Sequence, residues 1–266
     1  GMPMGIAEVA TVLFAKHLRF YPNAPEWANR DRFILSAGHG SMLLYSLLYL
    51  LGYPKISLED IKNFRKLKSP TAGHPEFNEL PGIETTTGPL GQGLGNGLGM
   101  ALSEKILRAR HGSEFFNHFT YILAGDGCLM EGISHEFASL AGHLGLENLI
   151  LIYDDNKISI DGPTSITMSD NTLERFKALG WDTNIVNGYD FGQIDNAIAK
   201  AKTSNKPSLI SCETIIGFGS PNKQNTAGCH GSPLGEDEIK KAKTKMNWNY
   251  DKFEIPSDIL KSWRDV

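Results

Sequence analysis

Two short apolar runs, each ending in polar residues, constrain the fold of this chain more than any other feature. Residues 121–132 have the sequence YILAGDGCLMEG, and residues 148–156 have the sequence NLILIYDDN. Each run is typical of a strand buried on both faces, because it is continuously apolar and short. In an open parallel sheet, ligands bind at the carboxyl ends of the strands. We therefore expect Asp126 and Asn156 to lie at one such edge.

The spacing of these two residues indicates that their strands are neighbours. Asp126 and Asn156 are 30 positions apart, about the length that a strand, a crossover helix and a second strand require. Their side-chain oxygens are hard ligands, one charged and one neutral. Mg²⁺ takes few such oxygens from proteins and completes its octahedron with phosphate and water. The pattern therefore predicts a metal-assisted diphosphate site.

Further apolar runs alternate with segments of helical periodicity, which predicts an α/β fold with a parallel sheet and helices on both faces. The predicted further strands are 33–35, 181–186 and 207–214, and the predicted helices are 5–20, 42–51, 57–64, 91–110, 131–144, 172–179, 191–201 and 235–246, with a short helix ending at 263. We expect the four glycines at the start of the 91–110 helix to allow close packing against a neighbouring helix or subunit. We expect one domain over residues 1–266, with a long loop and a helical tail from about residue 215.

Composition excludes several classes of protein. With 266 residues, 41% of them hydrophobic, the chain can form a sizeable core, which argues against disorder. A net charge of −4 argues against a nucleic-acid partner. The longest apolar run, 42–51, is about half the length of a membrane span, so we expect no membrane partner. Cys128, Cys212 and Cys229 are odd in number and lack CxxC spacing, which predicts free thiols and a cytoplasmic location.

Two histidines lie in loops that lead towards the predicted site. His39 belongs to a glycine-bracketed loop before the 42–51 helix. A helix N-terminus attracts anions, so His39 could contact a diphosphate, although its residue context fits a histidine that caps its own helix equally well. His74 belongs to an irregular loop at 65–81 that contains three prolines. Long ordered loops often carry function, but a surface histidine is the more common case.

The GDG sequence followed about 30 residues later by asparagine resembles the thiamine diphosphate fingerprint, and three further blocks narrow the resemblance to transketolase. These blocks are WANRDRFILSAGHG at 27–40, TTTGPLGQG at 85–93 and DDNKISIDG at 154–162. The resemblance extends over nearly the whole chain but covers only the N-terminal, diphosphate-binding domain of that family. It implies transfer of a two-carbon ketol unit between sugar phosphates of the pentose phosphate pathway. It also implies thiamine diphosphate as cofactor, with Mg²⁺, or alternatively Ca²⁺ or Mn²⁺, as the metal.

The resemblance also assigns roles to individual residues. It implies metal binding by Asp126, Asn156 and the backbone carbonyl of Ile158. The residues that it implies for cofactor binding are His39, Gly88, Leu90, Gly127, Glu131, Asn156, Ile160 and His230. His74 and His230 become candidate proton donors or substrate contacts, because the unperturbed pKa of histidine suits that role.

Some of these assignments have competing interpretations. The block with Gly88 and Leu90 could serve packing alone. Glu131 could be an ordinary carboxylate that stabilises a helix N-terminus. Cys128 lies beside the predicted metal site, but sulfur is the wrong ligand for Mg²⁺, so we interpret it as a small packing residue.

The resemblance also implies parts that this sequence does not contain. In the family, pyrimidine-binding and C-terminal domains follow, and the active site forms between two subunits. We therefore expect a homo-oligomer, or a second chain that carries the pyrimidine-binding domain, and no turnover by this chain alone. A His-Pro-Gly turn of the family has no histidine counterpart here, so a non-catalytic binding or assembly subunit stays open. A dihydroxyacetone synthase relative also stays open, whereas deoxyxylulose phosphate synthase matches residues 36–40 and 154–162 less well.

Overall fold

A five-stranded parallel sheet forms the centre of the protein, and the computed structural model describes residues 1–266. Its strands are β1 Arg32–Leu35, β2 Thr120–Gly125, β3 Leu149–Asp155, β6 Asp182–Asn187 and β7 Ser208–Glu213. Their spatial order is β1-β2-β3-β7-β6, and every pairing is parallel. A separate antiparallel hairpin pairs β4 Ile158–Ser159 with β5 Gly162–Pro163.

Helices account for most of the remaining regular structure. They are α1 Met2–Gly5, α2 Ala7–Val12, α3 Ser41–Leu51, α4 Leu58–Lys62, α5 Gln92–His111, α6 Asp126–Met130, α7 Gly132–Leu144, α8 Thr172–Ala178, α9 Phe191–Ala201, α10 Glu236–Lys245 and α11 Ser257–Arg264. A π-helical turn, Leu13–His17, follows α2, and short 3₁₀ turns occur at Gly38–Gly40, Thr164–Ile166 and Ala227–Cys229. None of the helices combines the length and the apolar character that crossing a bilayer would need.

Two consecutive residues of β1 demonstrate that helices cover both faces of the sheet. Phe33 points to one face, where its ring lies 4.8 Å from that of Phe14 in the N-terminal helical segment. Ile34 points to the other face, where α5 approaches so closely that a Cβ on Gly97 would lie 3.2 Å from its Cδ1. Because strand side chains alternate between faces, this pair confirms the predicted α/β sheet with helices on both sides.

The strands that carry the two predicted metal ligands are direct neighbours. β2 pairs with β3 so that Gly125 lies opposite Asp154. The carboxyl ends of both strands therefore meet at one edge of the sheet, and Asp126 and Asn156 follow them there. This confirms the neighbour relation inferred from their spacing.

The GDG sequence leads from strand β2 directly into helix α6 without a left-handed turn. Gly125 has an extended backbone with φ −102°, and Asp126 is the first residue of α6. Neither Gly125 nor Gly127 has a positive φ. The requirement at Gly127 is close approach, because a Cβ there would lie 3.0 Å from Cδ1 of Leu90.

The N-terminal helix ends earlier and is less regular than predicted. Instead of one helix over 5–20, α1, α2 and the π-helical turn follow one another as far as His17. The carboxylate of Asp31 accepts the backbone N–H of Arg19 at 2.8 Å, and the N–H of Asp31 donates to the carbonyl of Arg19 at 2.8 Å. Leu18 is already extended, and these bonds hold Arg19 outside the helix.

Two glycines of α5 pack closely against the sheet and its edge, while Gly95 faces the neighbouring helix α7, where a Cβ would lie 3.7 Å from Cγ1 of Ile133, so the predicted packing against a helix is confirmed in part. A Cβ on Gly93 would lie 2.8 Å from the Cα of Ser36, and one on Gly97 would lie 2.4 Å from Cδ1 of Ile122. Gly99 has no atom within 4 Å of its Cβ position. The close contact of α5 with β1 and β2 thus accounts for two of the four glycines.

Candidate metal and diphosphate site

A cavity of about 320 Å³ opens at the carboxyl ends of β1, β2 and β3. The predicted site residues that line it are His39, Gly88, Leu90, Asp126, Gly127, Asn156, Ile158, Ile160 and His230. They come from five separate stretches of the chain. Residues that sequence analysis did not assign to the site, among them Met2, Asp154 and Ile216, also line the cavity.

Asp126 presents one free carboxylate oxygen at this edge of the sheet. Its side chain is buried, and the hydroxyl of Tyr153 donates a hydrogen bond to its Oδ1. Its Oδ2 is buried and has no hydrogen-bond partner. Burial raises the pKa of Asp126 to about 6, although the hydrogen bond from Tyr153 acts in the opposite direction. A buried carboxylate oxygen without a donor is unfavourable, and a bound cation would offset that cost.

Asn156 is held so that its amide oxygen has a defined direction. Its Nδ2 donates to Oδ2 of Asp154 at 3.0 Å, and its Oδ1 accepts the N–H of Ile158 at 3.0 Å. An amide oxygen has two acceptor sites, so Oδ1 retains one for a cation. The residue opposite Ile158 in the hairpin is Pro163, which has no N–H to donate to the Ile158 carbonyl.

These three groups fit a hard divalent cation. One carboxylate oxygen, one amide oxygen and one backbone carbonyl are the ligand types that Mg²⁺ uses when phosphate and water complete its shell. The chain contains no cluster of three or more His, Cys, Asp or Glu side chains that could hold a metal. That finding agrees with a donor set that includes a single carboxylate and no soft ligand.

Buried polar residues that were not predicted from the sequence support the two ligands. The apolar run of β3 ends at Tyr153, but the strand continues through Asp155. Asp154 is satisfied by hydrogen bonds from Asn156 and from the hydroxyl of Thr214, and burial raises its pKa to about 7. Oδ2 of Asp155 accepts the hydroxyl of Ser211 at 2.9 Å, and its Oδ1 forms an ion pair with Lys157 at 2.6 Å. Carboxylates that directly continue a buried apolar run were the available sequence signal.

His39 and His230 form a stacked pair in the cavity wall. Their ring centroids are 5.0 Å apart and their planes differ by 20°. Burial, with smaller contributions from the charges of His230 and His74, lowers the pKa of His39 to about 4. Burial also lowers the pKa of His230, whose Nδ1 is buried without a partner. Two neutral imidazoles, each with one N–H to donate, therefore face the cavity.

The interpretation of His39 as a cap for its own helix is wrong. The N-cap residue of α3 is Gly40, and no side chain makes a capping hydrogen bond there. Ser41 at the start of α3 instead donates to the carbonyl of Gly73 at 3.0 Å, and Tyr45 donates to the carbonyl of His74 at 3.3 Å. The start of α3 thus anchors the loop that carries His74.

His74 and Glu131 do not line the cavity. His74 is exposed, and its imidazole lies beside Gly88, where an added Cβ would be 3.4 Å from its Cγ. Glu131 is exposed at the N-cap of α7 and makes no capping hydrogen bond. The structure therefore brings His74 to the outer rim of the cavity wall and leaves Glu131 outside the cavity.

The segment with Gly88 and Leu90 contributes directly to the cavity wall. The hydroxyl of Thr87 donates to the carbonyl of Leu35, at the end of β1, at 2.8 Å. This buried bond ties the segment to the carboxyl edge of the sheet.

Cys128 is buried and lines the cavity. Cys128, Cys212 and Cys229 are all free thiols, so the prediction of free thiols is confirmed.

Comparison with known proteins connects this site to a family. The family model described as "Transketolase, thiamine diphosphate binding domain" matches residues 1–266, the whole of the chain. The chain belongs to the transketolase family. Transketolase 1 of Aliivibrio fischeri is 57% identical over 267 residues, and transketolase of Cereibacter sphaeroides is 51% identical over 263 residues.

The match to these transketolases covers the present chain fully but the relatives only in part. In both relatives the aligned region is 99% of this chain and 40% of the other protein. The crystal structure of transketolase from Campylobacter jejuni has a TM-score of 0.97 and 45% identity, and covers 100% of this chain and 42% of its own. Transketolase from Leishmania mexicana has a TM-score of 0.96 and 43% identity over 100% of this chain and 40% of its own. The chain thus spans about two fifths of its transketolase relatives.

Proposed function

We propose that this chain is the diphosphate- and metal-binding part of a transketolase, an enzyme that moves a two-carbon ketol unit between sugar phosphates. The single observation that carries the proposal is the pair of ligands at the tips of β2 and β3. The unpartnered Oδ2 of Asp126 and the amide oxygen of Asn156 both belong to one cavity. A metal-bound diphosphate matches that arrangement of hard oxygen ligands.

Each residue of the cavity has a role in this proposal. Asp126, Asn156 and the carbonyl of Ile158 would hold Mg²⁺, or Ca²⁺ or Mn²⁺ in its place. The cavity residues that would contact thiamine diphosphate itself are His39, Gly88, Leu90, Gly127, Ile160 and His230. When bound, thiamine diphosphate supplies a nucleophilic carbon and an electron sink for cleavage of the ketose. Glu131 is proposed to support this group from outside the cavity.

The histidines are the groups of this chain that can exchange protons with a sugar phosphate. His230 has a buried Nδ1 without a partner, so it can donate to an anionic oxygen or accept a proton from a hydroxyl. His39 stacks on it and shares the low-dielectric wall. His74 lies at the rim, where an incoming sugar would pass. We assign His74 and His230 as proton donors or substrate contacts.

Relatives support sugar phosphates as the substrate class. Crystal structures of transketolase from Pichia stipitis include a complex with sedoheptulose 7-phosphate, at 47% identity and a TM-score of 0.96. Another is a variant complex with fructose 6-phosphate. Both cover 100% of this chain and 40% of their own. We propose the same class of substrate here, in carbohydrate metabolism in the cytoplasm.

We further propose that a polypeptide of these 266 residues does not turn over on its own. The relatives extend over two and a half times its length. The two carboxylates that line the cavity are assigned here to the metal (Asp126) and to the support of Asn156 (Asp154), so neither is assigned to the pyrimidine ring. Activity then requires the remaining part of a transketolase, in the same chain or in a partner within a homo-oligomer.

Binding of the cofactor is the first test. Titration calorimetry of the chain with thiamine diphosphate and Mg²⁺ should give saturable heat that disappears when EDTA removes the metal. The titration is repeated with a polypeptide that carries the remaining three fifths of a close relative. No binding in either titration would contradict the proposed function and would favour a non-catalytic assembly subunit.

Turnover is the second test. A steady-state assay with xylulose 5-phosphate and ribose 5-phosphate should show no activity for the chain alone and measurable activity after addition of the complementary polypeptide. Activity of the chain alone would contradict the proposed dependence on the second part. Activity with formaldehyde as acceptor, but not with ribose 5-phosphate, would indicate a dihydroxyacetone synthase relative.

A further inference from the structure

We propose that Tyr153 and Asp154 are positioning residues that orient the two side-chain metal ligands and thereby set the affinity for the metal. The inference rests on the proposed function, because it concerns the same cation site. Tyr153 and Asp154 are consecutive residues of β3, and both are buried. Because successive strand residues point to opposite faces, one strand reaches both ligands from two directions.

Tyr153 selects which oxygen of Asp126 is available. Its hydroxyl donates to Oδ1 of Asp126 across the β2–β3 pairing, and Oδ2 is left without any partner. A phenol has a single proton to donate, so it holds the carboxylate in one rotational state. With that bond in place, the free oxygen is presented in a fixed direction before any cation arrives.

Asp154 selects which end of the Asn156 amide faces the cation. A carboxylate accepts hydrogen bonds but cannot donate, and Oδ2 of Asp154 accepts from Nδ2 of Asn156 at 3.0 Å. If the amide flipped, its oxygen would face this carboxylate, and its NH₂ group would face the N–H of Ile158. Both contacts would be repulsive, so the observed orientation is enforced from two sides.

Asp154 is a support and not itself a ligand, although it lines the cavity. Its second oxygen, Oδ1, accepts the hydroxyl of Thr214, so both of its oxygens are already engaged. Asp126, in contrast, has one oxygen engaged and one free. Of the two carboxylates, we therefore assign Asp126 to the metal and Asp154 to the support of Asn156.

Groups that orient metal ligands typically contribute 10- to 100-fold in metal affinity. We therefore expect Tyr153→Phe and Asp154→Ala each to weaken binding of Mn²⁺, measured by calorimetry with saturating thiamine diphosphate and the complementary part of a relative, by roughly 10- to 100-fold. Asp154→Asn should stay within about threefold of wild type. Its amide oxygen can still accept from Asn156, while its NH₂ group donates to Thr214.

Tyr121→Phe is the matched control for Tyr153→Phe. Tyr121 is a buried tyrosine of the neighbouring strand β2, and its hydroxyl has no hydrogen-bond partner. Its loss should leave Mn²⁺ affinity unchanged. An equal loss of affinity in Tyr121→Phe would overturn the inference, because removal of any buried hydroxyl would then have the same effect. Wild-type affinity in both Tyr153→Phe and Asp154→Ala would also overturn it.

A measurement without metal separates this inference from the proposed function. In metal-free crystal structures, Asp126 should adopt a different side-chain rotation in Tyr153→Phe, and Asn156 should be flipped or present in two orientations in Asp154→Ala. Failure of wild type to bind Mn²⁺ would contradict the proposed function, and the metal-free structures alone would then decide the orienting roles. Unchanged ligand orientations in both variants would overturn the inference.

Discussion

Asp126 combines burial of a carboxylate with an oxygen that has no donor. The unpartnered oxygens of Glu104 and Asp155 face Arg108 and Lys157, but no basic side chain forms an ion pair with Asp126. A buried polar group without a partner lowers stability by about 1–3 kcal/mol. The same atom is useful when a cation is bound, since it is already desolvated and oriented. Stability of the free protein and affinity for the metal therefore conflict at this residue.

This conflict predicts opposite effects for Asp126→Asn. An asparagine can still accept the hydrogen bond from Tyr153, and it removes the cost of a buried charge. The free energy of unfolding without metal should be unchanged or higher by about 1 kcal/mol, whereas stabilisation by Mg²⁺ with thiamine diphosphate should be lost. Differential scanning calorimetry with and without both ligands measures this.

Asp161→Asn, at an exposed aspartate in the loop of the β4–β5 hairpin, is the matched control and should behave as wild type in both conditions. A metal-free Asp126→Asn protein that unfolds more readily than wild type would contradict the argument. The carboxylate of Asp126 in the wild-type protein would then stabilise the fold itself.

His118 gives a pH dependence that is independent of the metal site. It is buried, and burial together with the charges of Arg32, Arg19 and Arg30 lowers its pKa to about 4 from 6.5. Between pH 6.5 and about pH 4, His118 therefore binds a proton in the unfolded chain but not in the folded protein. Stability should fall with decreasing pH in that window, by up to about 1.4 kcal/mol per pH unit from this residue.

Replacement by a residue that does not titrate isolates this contribution. His118→Gln should show a shallower fall than wild type between pH 6.5 and about 4, measured from urea unfolding at several pH values. The two profiles should run parallel above pH 7. Parallel profiles over the whole range would show that His118 does not contribute.

Among the helices, α5 lies close to the sheet because glycine residues, which have no side chain, face β1 and β2. Where it crosses β1 and β2, two of its glycines let the helix backbone approach the sheet, and the close approach brings the start of α5 next to the cavity wall at residues 88–90. On the exposed side of α5, away from the sheet, Gly99 has open space around it. The helix therefore tolerates a Cβ at one glycine and not at another.

Substitution by alanine should distinguish these glycines. A Cβ at position 97 would lie 2.4 Å from Cδ1 and 2.8 Å from Cγ1 of Ile122, so Gly97→Ala should lower the free energy of unfolding by about 1–3 kcal/mol. Gly99→Ala, with the same change in helix propensity and no neighbouring atom, should raise it by about 0.5–1 kcal/mol. Urea denaturation measures both. A stabilised Gly97→Ala protein would contradict the packing argument.

In the molecule as a whole, the long loop after β7 contributes Ile216, His230 and Gly231 to the cavity wall. It carries His230, and one carboxylate in α10 holds its first part. Glu238 accepts hydrogen bonds from the hydroxyl of Ser220 at 2.5 Å and from the backbone and side-chain N–H groups of Asn222 at 2.7 and 2.9 Å. These charge-assisted bonds also lower the pKa of Glu238 to about 2.

Loss of this carboxylate should loosen the loop without affecting the sheet. In Glu238→Ala, amide hydrogen exchange over residues 217–231 should become at least about tenfold faster, while exchange in β2 and β3 stays as in wild type. Glu236→Ala, at an exposed glutamate of the same helix that pairs with Lys252 at 2.7 Å, should change neither. Faster exchange throughout the chain would indicate a global loss of stability instead.

Patterns in the amino-acid sequence were sufficient to predict the alternation of strands and helices, the adjacency of β2 and β3 and the placement of Asp126 and Asn156 at one edge. These follow from local hydrophobic patterns and from the chain length that a crossover needs, so they require no knowledge of distant contacts. Helix α9 has the predicted bounds because its apolar residues recur with helical spacing and Asp190 caps its start.

Contacts between distant segments determine which atoms are free. The unpartnered oxygen of Asp126 depends on Tyr153, 27 positions away, and the pairing of His39 with His230 joins residues 191 positions apart. The early end of the N-terminal helical segment at His17 is followed by hydrogen bonds between Arg19 and Asp31, which no helical pattern predicts. Hydrogen-bond partners and desolvation arise where separate segments meet, and a one-dimensional pattern does not encode those distances.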